Sequence, residues 1–345
     1  MKRSIHSNDN SLRVISGDDV EKLLIGKNEK IIKLVRAAYI AHQKGKSALP
    51  HSIFLKFPLK PQNRIIGLPS YIDETAGIKW IASFPNNIKK GLDRASAAII
   101  LNSLITGWPY AIFEGSIISA KRTAASAALA TTILSKGKHD IKDIALIGCG
   151  FINFEFFKFI ISQFPSLEAV NLFDLNRRRA LLFSNKVKSI SDVKIKINHT
   201  IEECLQSSKI ISFATTASNP HITNKSILPK ESVVLHISLR DISPDIIKNS
   251  INVVDDIDHV NRENTSIHLA VKKYGRTDFI TASLGEFLLR QRQLPGNQRP
   301  IIFSPFGLGI LDIQLARFVY EQAVRKDKGI LIKNFIPPNW HERPY

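Results

Sequence analysis

The chain has 345 residues, 44% hydrophobic and 23% charged, with 17 glycines and 16 prolines, a length that suits two domains and a composition that excludes a disordered or repetitive polymer. Its 48 Lys and Arg against 30 Asp and Glu give a net charge of +18, but the basic residues are scattered, with no run longer than Arg177-Arg178-Arg179 and no nucleic-acid-binding signature, so the charge is read as attraction for small anions and nucleic acid is not an expected partner. The two cysteines, Cys149 and Cys204, have no metal-ligand spacing, no metal is expected, and no apolar run reaches the roughly 18 residues of a membrane span, so the expected setting is the cytoplasm with no membrane partner.

Gly17–Ile25 and Glu29–Lys44 repeat apolar residues at helical spacing and are predicted helices. His51–Phe57, Arg64–Ile72 and Gly77–Phe84 alternate as antiparallel strands do. A helix is expected to start near Asp93, with Thr106-Gly107-Trp108-Pro109 turning it into a strand at Tyr110–Phe113. The Ala-rich stretch Ser119–Leu134 reads as a helix and Lys136–Asp140 as a linker.

From Asp143 the pattern changes. Asp-Ile-Ala-Leu-Ile-Gly-Cys-Gly is a short apolar run ending in glycines, as a buried parallel strand meets its turn. A helix at Asn153–Phe164, closed by Pro165, leads to a strand at Ala169–Phe173. Helices at Arg177–Ser189 and Ile201–Ser207 then alternate with strands at Val193–Ile197 and Ile210–Ala214, and a further strand follows at Val233–Ile237. This βαβ series predicts a parallel sheet with helices on both faces. Near the end, Ile310–Arg325 is an amphipathic helix expected to return to the first domain. The fold class is therefore α/β. A Rossmann-type doubly wound parallel sheet occupies 136–302, beside a discontinuous α+β domain formed by 1–135 and completed by 303–345.

Gly148 and Gly150 stand where a dinucleotide-binding strand turns into its helix, and Asp174 ends the next strand, where a ribose-binding acid is expected. The glycines let the backbone approach a pyrophosphate, whose charge the helix N-terminus stabilises. Asn153 holds the third glycine position, where it either loosens helix–strand packing or adds a polar phosphate contact. Asp174 favours NAD, because a carboxylate bonds a ribose 2′-hydroxyl and repels a 2′-phosphate; Arg177 to Arg179 keep NADP open. Cys149, inside the loop, is read as a packing residue.

Lys79 and Arg122 are cations flanked by residues that read as buried, and each needs an anionic partner. A ligand carboxylate and an internal salt bridge serve equally well at this point. Asp241 follows the end of a parallel strand, where such sheets place ligands, and is either a functional acid or a helix N-cap.

The runs Lys79-Trp80, Ser83-Phe84-Pro85-Asn86-Asn87, Ser116-Ile-Ile-Ser-Ala-Lys-Arg-Thr-Ala-Ala125 and Ile147-Gly-Cys-Gly150 together resemble the ornithine cyclodeaminase/μ-crystallin family over nearly the whole chain. His236-Ile-Ser-Leu-Arg-Asp241, Val253-Val-Asp-Asp-Ile-Asp-His259 and Pro300-Ile-Ile-Phe-Ser-Pro-Phe-Gly-Leu-Gly309 look like the branch that makes 2,3-diaminopropionate for siderophores and peptide antibiotics. The resemblance implies a homodimer whose first domain binds substrate and dimerises. It implies that Lys79 and Arg122 hold a carboxylate of an amino-acid substrate with several carboxylates, and that Asp241 is the general acid/base. Gly148, Gly150, Asn153 and Asp174 would hold NAD, with Thr215, Thr216 and Ser238 lining the nicotinamide side.

The implied reaction is oxidation of an N-linked glutamate–diaminopropionate conjugate. Ornithine or lysine cyclodeaminase, alanine dehydrogenase, ketimine reductase and a cofactor-dependent binding protein without turnover are the alternatives. Two departures from the family bear on this choice. The cyclodeaminase pattern around the acid is replaced by Arg240-Asp241-Ile-Ser-Pro-Asp245, and the usual first-domain substrate arginine is missing near Pro50-His51-Ser52. Arg64 or Arg240 would then meet an additional carboxylate, and a pKa raised by burial toward the working pH would suit Asp241.

Overall fold

The computed structural model describes residues 10–135, 141–296 and 298–343; the expected linker Lys136–Asp140 lies outside them. The chain runs through β1 (Leu12–Ile15), α1 (Gly17–Leu24), α2 (Asn28–Gln43), β2 (Ser47–Ala48), β3 (Ile53–Phe57), β4 (Lys60–Ile72), β5 (Thr75–Ser83), β6 (Ala95–Asn102), β7 (Pro109–Glu114) and α3 (Ser116–Leu134). It continues through β8 (Asp143–Ile147), α4 (Phe151–Gln163), β9 (Ala169–Phe173), α5 (Arg177–Lys188), β10 (Lys194–Ile197), α6 (Ile201–Gln206), β11 (Ile210–Phe213) and β12 (Val233–His236). After α7 (Pro244–Lys248) come β13 (Ile251–Val254), α8 (Ile257–Val260), α9 (Ser266–Tyr274), β14 (Ile280–Ser283), α10 (Leu284–Leu288), β15 (Ile301–Ser304), α11 (Gly309–Arg325) and β16 (Ile330–Ile332).

Two units result, Met1–Arg122 with Leu308–Tyr345, and Thr123–Gly307. The first break falls inside α3, not at the expected position 135, and the second after Gly307, not before Phe303. A continuous helix shows no change of composition at its middle, so a reading by linkers places the break at its end.

The first unit is built on a mixed sheet of order β16-β1-β7-β6-β5-β4-β2, with β3 paired to β4. All its pairs are antiparallel except β1 with β7. The segment expected to form a helix from Asp93 is strand β6. Its Ala content favours a helix, but Ile99 and Leu101 alternate into the core at 0% exposure, and β6 pairs along its length with β5 and β7. Tertiary pairing thus overrides local propensity. Helix α11 packs on β4, β5, β6 and α2. Its first turn is buried all round, and each fully buried Ile or Leu there contributes about 1.5–3 kcal/mol. Gly309 permits that approach, since a Cβ there would lie 3.0 Å from the Leu68 carbonyl oxygen.

The second unit is an all-parallel sheet of order β10-β9-β8-β11-β12-β15-β13-β14. Its inner strands β8, β11, β12, β15 and β13 are buried on both faces, which is why they read as largely apolar runs. From β8 the chain first builds outward through β9 to β10, then returns to place β11 on the other side of β8. That reversal makes the carboxyl ends of β8 and β11 the place where a ligand is held in such sheets.

Candidate active site

At the reversal, Gly148 has φ +91°, and a Cβ there would lie 2.6 Å from the Ala214 carbonyl oxygen, so only glycine fits. Gly150 is the N-cap of α4 with no side-chain cap, which leaves the first turn's N–H groups to an external acceptor. A Cβ at Gly150 would meet only the Arg179 guanidinium, at 3.5 Å. This cradle fits a dinucleotide pyrophosphate. Asp174 accepts N–H bonds from Cys149 and Asn176, each at 2.8 Å, and Arg179 Nε lies 3.9 Å away. Each carboxylate oxygen keeps a second lone pair, enough to receive the two hydroxyls of a ribose.

The Asn153 side chain is not presented to a phosphate. It is fully buried, donates to the carbonyls of Ile147 (3.0 Å) and Gly148 (2.7 Å), and accepts from the Ser212 hydroxyl at 2.7 Å. It braces the loop against β11 and does not loosen it. Cys149 is buried, and burial together with the Asp174 charge pushes its thiol up; the Cys204 thiol is pushed up to about 12 by burial. Neither is a nucleophile.

Asp241 is fully buried. Thr215 donates its hydroxyl to Oδ1, and Ser238 donates to Oδ2 at 2.5 Å. His236 Nε2 lies 3.1 Å from the Asp241 amide and 3.3 Å from Oδ2, so the ring's protonation decides which it serves; Nδ1 lies 3.4 Å from the Ser304 hydroxyl. The loop carrying His221 bonds the Asp241 carbonyl, and the His221 ring lies 4.0 Å from Oδ1. Burial works against the charge of Asp241, but the hydrogen bonds from His236, Ser238 and Thr215, with the charge of His236, outweigh it and hold the carboxyl down to about 2. This reverses the expectation of a raised value. Asp241 caps no helix; Ser243 and not Asp241 is the N-cap of α7. Thr215 and Ser238 spend their hydroxyls on Asp241, whereas Thr216 is exposed.

Lys79 and Arg122 meet over one acid in the first unit. Lys79 Nζ donates to Asp312 Oδ2 at 2.6 Å, Arg122 Nε donates to Oδ1 at 3.1 Å, and both cations donate to the Ser119 hydroxyl, at 3.2 and 3.4 Å. Lys79 stands on the central strand β5, opposite Leu68 and Ile99. Ser119 and Arg122 share a face of α3, one turn apart, and the Glu114 carboxylate caps the start of that helix through the N–H groups of Ser116 and Ile117. Burial and the nearby Arg122 charge lower Lys79 to about 8 against the opposing pull of Asp312. The internal salt bridge weighed from sequence is thus present, yet two cations share one acid and one positive charge is left over.

Asp312 was missed in the sequence. The signal was there, since it is the lone acid on the apolar side of a helix, and a buried cation needs such a partner. Arg240 donates to the Glu263 carbonyl at 2.8 Å. A cavity of about 260 Å³ in the second unit lies by Asp143, Lys209, Val233 and Ile301 at the amino ends of the strands. That is the end opposite to the glycine loop. Among the described residues no group of His, Cys, Asp or Glu has the arrangement of a metal site, and no helix is long and apolar enough to cross a membrane.

Residues 13–327 match the model of the ornithine cyclodeaminase/mu-crystallin family. The N-((2S)-2-amino-2-carboxyethyl)-L-glutamate dehydrogenase of Staphylococcus aureus is 30% identical over 304 residues, 82% of this chain and 89% of that one. The alanine dehydrogenase of Archaeoglobus fulgidus is 26% identical over 337 residues, 93% of this chain and 98% of that one. Among solved structures, Δ1-pyrroline-2-carboxylate reductase of Thermococcus litoralis, in complex with NADH and L-proline, superposes with a TM-score of 0.86 at 26% identity, covering 92% of this chain and 99% of that one. With its glycine loop, its buried acid and its paired cations described, the chain belongs to the ornithine cyclodeaminase/mu-crystallin family.

Proposed function

We propose that the chain is an NAD-dependent amino-acid dehydrogenase acting on a CH–NH bond, and that its substrate is N-(2-amino-2-carboxyethyl)-L-glutamate. Oxidation at the glutamate Cα–N bond followed by addition of water gives 2-oxoglutarate and 2,3-diaminopropionate, a precursor for siderophores or peptide antibiotics. The observation that carries the choice of substrate is the 30% identity to the S. aureus dehydrogenase over 82% of this chain. The enzyme is read as a cytoplasmic homodimer; its two cysteines are free and buried, as suits a reducing compartment.

NAD bound at the Gly148–Gly150 loop, with Asp174 toward the ribose, supplies the hydride acceptor. Lys79 and Arg122 hold the substrate α-carboxylate, which fixes the direction of the Cα–H bond. Asp241 is ionised at neutral pH and serves as the base, accepting a proton from the amine or from the attacking water. Thr215 and Ser238 hold that carboxylate in place until it takes the proton.

The test is NADH formation with the conjugate, alanine and ornithine offered separately. The conjugate should give stoichiometric NADH and 2-oxoglutarate. Faster turnover of alanine would replace this reading with an alanine dehydrogenase, and ammonia from ornithine without net NADH would make the chain a cyclodeaminase. Arg122→Leu should raise KM and lower kcat together, because the same contact binds and orients.

A further inference from the structure

We propose that Asp312 is a positioning residue for carboxylate binding: it holds the Lys79 ammonium and the Arg122 guanidinium on its two oxygens and leaves the trio one net positive charge, which matches a single substrate carboxylate. This rests on the reading that Lys79 and Arg122 bind that carboxylate.

Three observations carry it. First, Asp312 is fully buried and uses one oxygen per cation, so each contact fixes a donor direction and leaves the remaining donors for a ligand. Among the described residues, Arg122 Nη1 takes no protein partner; Nε goes to Asp312 and Nη2 to Ser119. Second, the three groups come from three elements, β5, α3 and α11, so the acid is what brings two mutually repelling cations into one place. Third, Asp312 lies in the first turn of α11, the end of a helix where a negative charge is favourably placed.

The charged groups facing Lys79 are Arg122 from α3 and Asp312 from α11. Burial and Arg122 both favour the neutral amine, and Asp312 alone opposes them. Lys79, at about 8, is therefore a cation at neutral pH because Asp312 is there. Without Asp312 the amine would lose its proton nearer neutrality, and the site would keep a single positive charge on Arg122 alone, without the ammonium donor for an anion.

The experiment measures binding of 2-oxoglutarate, with pyruvate as a one-carboxylate control, to the full-length protein carrying NADH, by fluorescence from pH 6 to 9. In the unmodified protein affinity should fall as pH passes about 8. Asp312→Asn should move that fall down by a pH unit or more, so that affinity drops about tenfold at pH 8 and less than about threefold at pH 6. Asp312→Glu should restore the original profile. Lys79→Arg, whose side chain stays charged, should remove the fall altogether. A loss in Asp312→Asn that is equal at every pH would make Asp312 purely structural and overturn the proposal. If Asp312→Asn does not fold, Lys79→Arg decides, and a fall that persists in it overturns the proposal as well. Should neither acid bind the unmodified protein, the reading of Lys79 and Arg122 fails and takes this one with it; turnover of the conjugate with an unmoved profile would reject the role of Asp312 alone.

Discussion

Each unit buries a carboxylate completely, and the two are surrounded in opposite ways. Asp312, in the first, faces two full cations and sits at a helix N-terminus. Asp241, in the second, faces the hydroxyls of Thr215 and Ser238 and an imidazole. An acid between two cations has both oxygens committed to them and acts by charge and position. Asp241, held down by an imidazole and two hydroxyls, is ionised, but its hydroxyl partners can turn away, so it can still take a proton. The first arrangement suits binding and the second suits chemistry, although composition and burial are alike.

The largest expected effect tests the chemical half of that contrast. Asp241→Asn keeps the shape of the side chain and cannot accept a proton at neutral pH, so turnover should fall by about 10²–10⁴ while NAD affinity survives. The pH profile sharpens it. With its carboxyl held down to about 2, Asp241 stays ionised as pH falls through the weakly acidic range, and turnover should carry no acid limb from this group there. A weakly acidic limb that disappears in the Asn variant would show that the carboxyl is raised after all.

The binding half is tested by stability. Asp312→Ala leaves two buried cations without their acid and should cost about 3–5 kcal/mol in urea unfolding at neutral pH. A loss below about 1 kcal/mol, the range of a solvated pair, would mean that water reaches the trio.

A smaller effect belongs to the cofactor. Asp174→Ala should narrow the preference for NAD over NADP by about 10- to 100-fold, the range expected on losing hydrogen bonds to a charged group, as read from the two dissociation constants. Equal affinities in the unmodified protein would remove Asp174 from that role. The smallest is a control. Lys273 pairs with Asp245 on the surface at 2.9 Å, and Lys273→Ala should leave the urea midpoint essentially unmoved, setting the baseline against which the buried trio stands out.

How much of this was legible depended on how local the signal is. The parallel sheet, the glycine turn and Asp174 follow each other within one βαβ unit, so periodicity and spacing placed them. The helix expected from Asp93 failed because the deciding partners of β6 lie on β5 and β7, and local propensity does not see them. Asn153 was located but given the wrong task, since its partners include Ser212, which comes 59 residues later. The trio was half legible. Lys79 and Arg122 announced themselves as cations among apolar residues, but Asp312 follows Arg122 by 190 residues, and although it stands as a lone acid on the apolar side of a helix, nothing local ties it to these two cations. The direction of the Asp241 shift was misread for a related reason. Burial can be guessed from an apolar strand, whereas two hydroxyls converging from the ends of β11 and β12 cannot.

The quiet thiols bear on how this protein can be handled and labelled. Both cysteines are buried, and burial moves both thiols away from the reactive thiolate form. Alkylating reagents and mild peroxide should therefore leave the folded protein untouched, with Cys149 silent even though it sits inside the loop that faces a cofactor. A single cysteine introduced on an exposed loop would then accept a fluorophore or spin label at one defined position, without first removing the native pair. The same burial supplies a readout of unfolding, because the appearance of two titratable thiols would report the opening of the second unit, where both reside.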